Sequence, residues 1–481
     1  MIDGLKSYPA YRDSGTAWLG EVPKHWEVIP NRAIFLEVKE SDPDEQMLSV
    51  TINRGVIAQK ELLADSSKKD SSRQDRSAYK LVRPGDIVYN KMRAWQGAIG
   101  VSAYQGIVSP AYIVMRSRNG NIAGYFHNLY RTPAFATEAE SWSYGIASDM
   151  WSLRPEHFKA IYSCLPPIDE QRAIVRFLNH ADGHIRRAIQ AKQKLIKLLE
   201  EERQAIIHRA VTRGLNPNAR LKASGEPWLG EIPEHWTLVA LARCIKTIEQ
   251  GWSPVPAEGE LAAEQWAVLS LSAVKGGRFV RDALKPISMT ADVPTHLEVR
   301  QGDILVTRSN TRNLVGDVCI VDEVRPRTII SDLIYRLKVN DVMIVPELLK
   351  YQLLSKFGRY QIERDARGSS GTMPKIGQGH IRRWSVLLPP QLEQAAIVRK
   401  INFDTLAIEN AIRRTKQQIT LISEFRTRIV SDVVTGKLDV RKAAAKLPED
   451  TTKFEPLDES EDLTQDEDAA EGEELEAAED A

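Results

Sequence analysis

Cysteine is scarce in this sequence of 481 residues, which contains only Cys164, Cys244 and Cys319. The three lie far apart and form no C-x-x-C pair, which argues against both a zinc module and a disulfide framework. We therefore expect three buried, unpaired side chains in a protein of a reducing, cytoplasmic compartment.

Long apolar runs are missing as well. No run approaches the roughly 20 residues that a membrane-spanning helix requires, and residues 1–9 have neither the basic start nor the apolar stretch of a secretory signal. Hydrophobic residues make up 42% of the sequence and charged residues 27%, as in ordinary globular proteins. At roughly 150 residues per domain, the length predicts about three domains.

Enzyme signatures are also missing. Gly436-Lys437 lacks the upstream glycine and the following hydroxyl of a phosphate-binding loop, and no glycine-rich dinucleotide fingerprint follows a strand. The Pro-Pro pairs at 166–167 and 389–390 are similar to the Asn-Pro-Pro motif of amino-methylating enzymes, but the asparagine that would hold the target amine is absent. We interpret these prolines as joints between a domain and a helix.

The net charge of zero conceals two unlike parts. Residues 449–481 hold 16 acidic residues and one basic residue, which leaves 64 basic and 49 acidic residues in 1–448. The body therefore carries +15, which is typical of proteins that bind a polyanion. The end of the chain is of low complexity, and we predict a disordered acidic tail over 441–481.

One unit is written twice in the sequence. The motif W-L-G-E-x-P-x-H-W occurs at 18–26 and again at 228–236, with seven of nine positions identical. Two further segments repeat in the same order: V-R-x-G-D-I at 82–87 and 299–304, and L-P-P-x-x-E-Q-x-x-I at 165–174 and 388–397. The difference in residue number between matching segments of the two copies grows from 210 to 217 and then to 223. This offset indicates that insertions lie in the first part of each unit, and that the second part has a fixed length.

The second part of each unit has the pattern of a long helix. Apolar residues recur every three, four or seven positions, and glycine follows each run at Gly214 and Gly436. The predicted apolar positions are Ile174, Leu178, Ala181, Ile185, Ala188, Leu195, Leu199 and Ile206 in the first copy, and Ile397, Ile401, Ile408, Ala411, Ile422, Phe425 and Ile429 in the second. Lys192, Glu202, Asp404 and Thr415 interrupt them. We predict that the two helices pair as an antiparallel coiled coil; helices packed across globular domains remain an alternative.

The first part of each unit has β-rich runs that are bounded by Gly, Pro, Asn and Asp. These runs are 78–89, 107–115, 304–307, 318–321 and 329–339. We expect short helices at 123–130 and 346–357. The predicted fold class is therefore α+β, with two α/β globules in tandem, each followed by a long helix, related by a pseudo-twofold repeat. We predict the following boundaries: first globule 1–165, central helix 166–215, second globule 216–387, C-terminal helix 388–440 and tail 441–481.

We interpret the repeated W-L-G-E-x-P-x-H-W motif as a packing motif rather than a catalytic or metal-binding one. His25 and His235 each stand alone beside aromatic residues, so a packing role is favoured over metal ligation. The tryptophans at both ends of the motif are interpreted as anchors of a core edge.

Polar and basic loops remain as candidates for binding. Both copies place such a loop after the strand that follows Gly-Asp, and Arg, Lys, Asn and Gln are the side chains that contact phosphates and base edges. The candidate DNA-binding residues are Arg54, Lys68, Lys69, Asn90, Lys91, Arg93, Trp95, Gln96, Arg308, Ser309, Asn310, Arg312, Asn313, Ser369, Ser370 and Lys375. For any one of them, a solvated loop is an equally good interpretation.

The order of these elements resembles the specificity subunits of Type I restriction–modification systems. The opening motif of each half and the L-P-P-x-x-E-Q-x-x-I entry to each long helix are similar to repeated elements of that family, over residues of about 8–440. The tail has no counterpart in the pattern.

The resemblance implies a non-catalytic subunit with two target-recognition domains, each reading one half of a split site on double-stranded DNA, and a helical spacer between them. It implies two modification subunits as partners, which bind S-adenosylmethionine and methylate adenine. Restriction subunits that use ATP and Mg²⁺ would join them in a prokaryotic cytoplasm, without a membrane partner. None of these cofactors is expected on this chain.

Two readings from other classes stay open. A self-sufficient nuclease or methyltransferase would need a nucleotide or metal motif, which is not found. A coiled-coil scaffold that binds DNA without sequence specificity would explain the helices but not the matching polar and basic loops.

Overall fold

The structure, a computed structural model, describes residues 5–52, 54–64, 76–145, 151–255, 257, 259, 261–366 and 373–448. The chain divides into two compact units: unit 1 consists of Met1–Lys192 with Gln418–Ala481, and unit 2 of Gln193–Gln417. Both divisions fall inside the two long helices, so each unit contains a part of each helix. The domain boundaries predicted above stay a prediction.

The elements of unit 1 come first in the chain. Its strands are β1 (Tyr11–Asp13), β2 (Glu21–Pro23), β3 (Glu27–Pro30), β4 (Phe35–Val38), β5 (Leu48–Thr51), β6 (Gly55–Ala58), β7 (Lys80–Val82), β8 (Ile87–Asn90), β9 (Ile99–Val101), β10 (Gly106–Val108), β11 (Tyr112–Ser117) and β12 (Tyr162–Leu165). Its helices are α1 (Asn31–Ile34), α2 (Gln59–Ala64), α3 (Ala123–Tyr130), α4 (Pro133–Ser141) and α5 (Pro155–Ala160), and the long helix α6 (Ile168–Arg213) begins here.

Unit 2 follows the same plan. Its strands are β13 (Leu221–Ala223), β14 (Glu231–Pro233), β15 (Thr237–Ala240), β16 (Ile245–Gln250), β17 (Ala267–Leu269), β18 (Val274–Lys275), β19 (Arg278–Phe279), β20 (Leu284–Pro286), β21 (Ile304–Thr307), β22 (Val318–Ile320), β23 (Thr328–Ile329), β24 (Ile334–Val339) and β25 (Ser385–Leu388). Its helices are α7 (Pro346–Leu354), α8 (Lys356–Asp365) and α9 (Gln378–Arg383), and α10 (Gln391–Val434) begins here, while α11 (Arg441–Ala444) belongs to unit 1.

Sheet topology confirms the repeat and the α+β class. A four-stranded antiparallel sheet has the order β4-β11-β8-β9 in unit 1 and β16-β24-β21-β22 in unit 2. A two-stranded ribbon pairs the strand after each W-L-G-E-x-P-x-H-W motif with the strand before each Pro-Pro joint, as β3-β12 and β15-β25. The units differ in their remaining strands, because unit 2 has a three-stranded sheet, β20-β17-β23, that the described residues of unit 1 do not form. These strands occupy the part of the sequence where the offset between the copies grows.

The short helices agree with prediction in one copy only. The helix expected at 123–130 is confirmed as α3. The single helix expected at 346–357 is wrong, because α7 ends at Leu354 and a new helix, α8, starts at Lys356. Ser355 is in an extended conformation, and its side chain accepts a hydrogen bond from the Gly358 N–H, which makes it an N-cap rather than a helical residue.

The two long helices end where the glycines predict. α6 ends at Arg213 before Gly214 (φ +70°), and α10 ends at Val434, two residues before Gly436 (φ +80°). A Cβ at Gly436 would lie 2.4 Å from the Pro23 ring, and a Cβ at Gly214 would lie 3.0 Å from Trp236, so each glycine also allows a close approach to a repeated motif. At 1.5 Å per residue the helices are about 69 Å and 66 Å long.

The long helices pair antiparallel within each unit. In unit 1 the Arg426 Nε lies 2.5 Å from the Asp182 carboxylate, and the Lys192 Nζ lies 2.7 Å from the Gln418 side-chain oxygen. In unit 2 the Arg203 guanidinium lies 3.7 Å from Glu409. In unit 1 the partner's number falls as the number along α6 rises, which confirms the predicted antiparallel pairing.

The buried seam differs in detail from the predicted one. Leu195 and Phe425, predicted to be buried, are 45% and 42% exposed. The adjacent Ile196 is buried instead, and on α10 the buried positions follow spacings of four and three: Ile401, Thr405, Ile408, Ile412, Thr415 and Ile419. Thr415, predicted to interrupt the seam, fits within it because its hydroxyl donates to the Ala411 carbonyl at 2.8 Å.

The cores join each globule to both helices. The core of unit 1 contains Ile174 and Leu178 from the start of α6 and Ile429 and Val433 from the end of α10. A core of unit 2 contains residues from the end of α6 and the start of α10, packed against Trp236. All three cysteines are free and buried, as predicted.

The folded chain extends beyond the predicted start of the tail. Residues 441–448 were predicted to be disordered, yet α11 follows α10 and Ala444 is 1% exposed in the core of unit 1, where Leu447 also packs. Three alanines and a leucine in this stretch supply enough apolar surface to pack there. Residues 449–481 lie outside the described residues.

Candidate nucleic-acid interface

The Gly-Asp segment fixes the start of the same strand in both units. The Asp86 carboxylate accepts the Arg83 N–H at 2.9 Å, and the Asp303 carboxylate accepts the Arg300 N–H at 2.9 Å. Each aspartate is buried against an arginine of the neighbouring strand, with 2.8 Å between Asp86 and Arg116 and 3.2 Å between Asp303 and Arg336. This shared anchoring starts β8 and β21 at the same point, and the candidate loops follow them.

A basic residue stands at the end of each of these strands, where three segments of chain meet. The Lys91 N–H donates to the Ala111 carbonyl at 3.2 Å, and the Lys91 carbonyl accepts from the Leu153 N–H at 2.7 Å. In unit 2 the Arg308 N–H donates to the Leu333 carbonyl at 2.7 Å, and the Arg308 carbonyl accepts from the Ile376 N–H at 2.9 Å. Lys91 and Arg308 are thus structurally equivalent, and each is held by its main chain, while the Arg308 guanidinium also donates to the Asp332 carbonyl at 3.3 Å.

The first loop contains residues of two kinds. The Asn90 side-chain oxygen accepts the Met92 N–H at 3.0 Å, and the Trp95 indole N–H donates to the Met92 carbonyl at 2.9 Å, so both hold the shape of the loop. Trp95 also packs edge-on against Trp151, with 5.8 Å between ring centres. Gln96 is exposed, and Lys91 and Arg93 are half-buried. The structure therefore leaves Lys91, Arg93 and Gln96 as the candidates for direct contact in this loop.

The second loop divides in the same way. Ser309 and Asn310 are buried, and the Asn310 side-chain oxygen accepts the Thr311 N–H at 2.8 Å. Arg312 and Asn313 are exposed. Ser309 forms an antiparallel bridge with Lys375, so two candidates that are far apart in the sequence come together here.

The other candidates are placed differently. Arg54, on the β5–β6 hairpin, has only 17% of its side chain exposed and lies 3.4 Å from Glu61, an ion pair that competes with any phosphate. Lys68, Lys69, Ser369 and Ser370 lie outside the described residues. No observation tests DNA contact by any of the candidates, which stays a prediction.

Sequence reasoning missed basic residues that the fold brings to the first loop. The Lys80 Nζ donates to the Tyr112 carbonyl at 2.6 Å, and burial, assisted by the charges of Lys91 and Lys39, lowers the pKa of Lys80. Arg154 lines a cleft of about 560 Å³ together with Lys91 and Tyr144. No spacing in the sequence relates Arg154 to Lys91.

In each unit, the W-L-G-E-x-P-x-H-W motif contacts the L-P-P-x-x-E-Q-x-x-I motif. The His25 ring lies 2.9 Å from Glu170, and the His235 ring lies 2.8 Å from Glu393, which joins each W-L-G-E-x-P-x-H-W motif to the first turn of a long helix. The adjacent glutamines are also equivalent, because Gln171 accepts the Ile122 N–H and Gln394 accepts the Val345 N–H, at 2.9 and 2.8 Å. The motifs therefore build the joint between globule and helix.

Neither a metal cluster nor a membrane span is found in the described part of the chain. Within those residues, no group of three or more His, Cys, Asp or Glu side chains is arranged to hold a metal ion. Across the same residues, no helix is both long enough and apolar enough to cross a membrane.

Several known proteins are similar to the chain in sequence. The specificity subunit of the Type I restriction enzyme EcoEI of Escherichia coli is 24% identical over 273 residues, which cover 55% of this chain and 45% of that protein, less than half of its length. The EcoKI specificity subunit of E. coli strain K12 is 22% identical over 73% of this chain and 76% of its own length. A putative Type I specificity subunit, MjaX of Methanocaldococcus jannaschii, is 24% identical over 88% of this chain and 96% of its own.

A solved structure has the same fold. It is described as showing complex assembly and conformational transition of the Type I restriction–modification system, and it matches 86% of this chain and 98% of its own with a TM-score of 0.56 at 14% identity. No protein-family model matches the sequence.

Proposed function

We propose that this chain, a relative of the specificity subunits of Type I restriction enzymes, is the DNA sequence-recognition subunit of a Type I restriction–modification complex. The observation that carries the proposal is the equivalence of Lys91 and Arg308. Each follows the Gly-Asp strand of its unit, and each is fixed by the same pair of main-chain hydrogen bonds beside a polar loop.

Each unit reads one half of a bipartite site on double-stranded DNA. The loops after β8 and β21 enter the major groove, where the pattern of donors and acceptors distinguishes all four base pairs. The loops share a scaffold but differ in side chains, since the pair Asn90-Lys91 in unit 1 corresponds to Thr307-Arg308 in unit 2. The two half-sites therefore differ, and the complete site is asymmetric.

The excess positive charge supplies affinity without specificity. Residues 1–448 carry 64 basic and 49 acidic side chains. Contacts from these bases to phosphates release counterions, so binding weakens steeply as the salt concentration rises.

The long helices set the separation of the half-sites and dock the partner subunits. Large apolar side chains on their surfaces remain exposed: Phe403 (76%) and Leu406 (58%) in unit 2, and Leu421 (63%) in unit 1. On helices whose seam is already filled, such side chains favour contact with a further protein. The repeat offers two related surfaces, which fits two modification subunits.

The chain contributes recognition, and its partners contribute the chemistry. The modification subunits bind S-adenosylmethionine and methylate adenine at N6, and restriction subunits, where the system has them, use ATP and Mg²⁺ to translocate and cleave DNA. This division agrees with the names of the relatives, which are specificity subunits.

Selection from random DNA tests the proposal. The chain is purified with its modification subunit and mixed with a library of random duplexes, and the bound fraction is sequenced. We expect one split motif with two different halves at a fixed separation. Enrichment of an unsplit motif, or of no motif, would contradict the proposal.

Charge reversal separates this function from that of a scaffold that binds DNA non-specifically through a coiled coil. Lys91→Glu with Arg93→Glu is expected to abolish recognition of one half-site, and Arg308→Glu with Arg312→Glu recognition of the other. Unchanged DNA binding in both variants would favour the scaffold.

A further inference from the structure

A cleft of about 560 Å³ opens in unit 1 beside the loop that follows β8. Lys91, Tyr144, Ser152, Arg154 and Glu156 are among the residues that line it. Two cations and one carboxylate leave this cleft with a net charge of +1. It lies where the candidate loop meets the chain leading into α5, because the Leu153 N–H bonds to the Lys91 carbonyl.

Arg154 is presented on an aromatic support. Its guanidinium carbon lies 5.6 Å from the centre of the Tyr144 ring. That ring is itself fixed, since its hydroxyl lies 3.1 Å from the His157 Nε2 and the two ring centres are 4.9 Å apart. Tyr144 is nevertheless 55% exposed. Stacking of this kind orients a guanidinium while leaving its N–H groups available to a ligand.

The main chain of Arg154 is equally well defined. Its carbonyl accepts the His157 and Phe158 N–H groups at 3.1 and 3.0 Å, at the start of α5. Among the described residues, no carboxylate forms an ion pair with its guanidinium. The side chain is exposed, and it lines the same cleft as Lys91.

We propose that Arg154, supported by Tyr144, reads a guanine in the half-site of unit 1, with Lys91 beside it. The proposal rests on the proposed function above. A planar guanidinium presents two parallel N–H groups, and among the bases only guanine offers two adjacent acceptors, N7 and O6, on its major-groove edge. Arg154 is therefore a specificity-determining residue for this half-site.

Unit 2 has a different residue at the position equivalent to Arg154. The offset of 223 that relates Leu153 to Ile376 places Gly377 where unit 1 has Arg154, and Lys375 where unit 1 has Ser152. The guanine position assigned to Arg154 thus belongs to one half-site only, which makes the other half-site an internal control.

Selection from random duplexes, with the full-length chain in complex with its modification subunits, tests the assignment. Arg154→Ala is expected to lower the preference for guanine at one position of one half-site by about 5- to 150-fold, with the other half-site unchanged. Arg154→Lys keeps the charge but not the fork, so it loses discrimination as well. Tyr144→Leu should weaken the preference at the same position, and Tyr144→Phe, which keeps the ring against His157 but not the hydroxyl contact, should weaken it less.

Matched controls keep the outcomes distinct. Arg172→Ala removes an arginine that is 56% exposed on α6 and lines no part of the cleft, and it should leave the motif intact. Uniform weakening of all sequences by Arg154→Ala, rescued by Arg154→Lys, would identify a phosphate contact and overturn the assignment, as would no change. If the wild-type chain selects no split motif, the proposed function fails and this inference with it, whereas a wild-type split motif that Arg154→Ala leaves unaltered overturns the inference alone.

Discussion

At the scale of single residues, His127 shows how burial fixes a protonation state. It is 5% exposed in unit 1, and its Nδ1 accepts the Val101 N–H at 3.1 Å. Burial, together with the charges of Arg131 and Arg426, lowers the pKa of this histidine well below its ordinary value. The ring is therefore neutral in the folded protein and gains a proton more readily when unfolded.

This histidine makes the stability of unit 1 depend on pH. The pKa of His127 is lower in the folded protein than in the unfolded chain, where it is about 6.5. Its contribution to the free energy of unfolding is therefore complete above about pH 6.5. This contribution is lost as the pH falls further, at up to about 1.4 kcal/mol per pH unit. Urea unfolding at pH 7.5 and 5.5 measures the loss. His127→Gln, which can still accept the Val101 N–H, should remove this part of the pH dependence; an identical pH dependence in both proteins would contradict the expectation.

The candidate interface was predictable from the sequence only in part. The repeat identified Lys91 and Arg308 because both follow the Gly-Asp strand at the same offset. It did not reveal that Asn90 and Trp95 bond back to Met92, because such short-range hydrogen bonds depend on loop geometry. Nor could it place Arg154 and Lys91 along one cleft, since the approach of residues 63 positions apart leaves no periodic trace in the sequence.

At the scale of elements, the long helices were the most predictable feature and their seam the least. Apolar residues spaced three and four positions apart predict a helix, and the glycine that follows them predicts where the helix ends. The phase of the seam, however, depends on which of two adjacent apolar residues faces the partner, and the pair Leu195-Ile196 offers both choices. In the structure Ile196 is buried and Leu195 is exposed.

Two substitutions on α10 should separate stability from docking. Ile412 is 7% exposed, so Ile412→Ala is expected to destabilise the fold by about 2–5 kcal/mol through loss of packing. Leu406 is 58% exposed, so Leu406→Ala should change stability by less than about 0.5 kcal/mol and weaken binding of the modification subunit. Urea unfolding and a pull-down with that subunit measure the two effects. Equal destabilisation by both would show that Leu406 packs against the chain itself.

The helix pair should act as a ruler. Four residues inserted near Gln190, matched by four near Thr420 on the opposing helix, lengthen both helices by about 6 Å. We expect the preferred separation of the half-sites to change and the bases of each half-site to stay the same, as read by sequencing of the selected duplexes. Changed bases at an unchanged separation would contradict this role.

At the scale of the whole molecule, a basic body and an acidic end balance to zero. Residues 449–481 carry 16 acids and one base. Deletion of this segment is expected to raise affinity for non-specific DNA at low salt, with the difference vanishing as salt screens the charges. Titration of a random duplex at several salt concentrations measures it. If the full-length and the truncated protein bind with equal affinity at every salt concentration, the acidic segment does not shield the basic body, and solubility is left as its explanation.

The way the helices complete the cores has a consequence for how the molecule folds. The core of unit 1 needs the end of α10, and the Trp236 core of unit 2 needs the end of α6, so each globule is finished by the helix of the other repeat. The arrangement resembles a domain swap within one chain, because the unit of sequence duplication is not the compact unit of the structure. A half-chain cut after Gly214 would expose the surface meant for the missing helix, and it could regain a complete core only by exchanging helices with a second half.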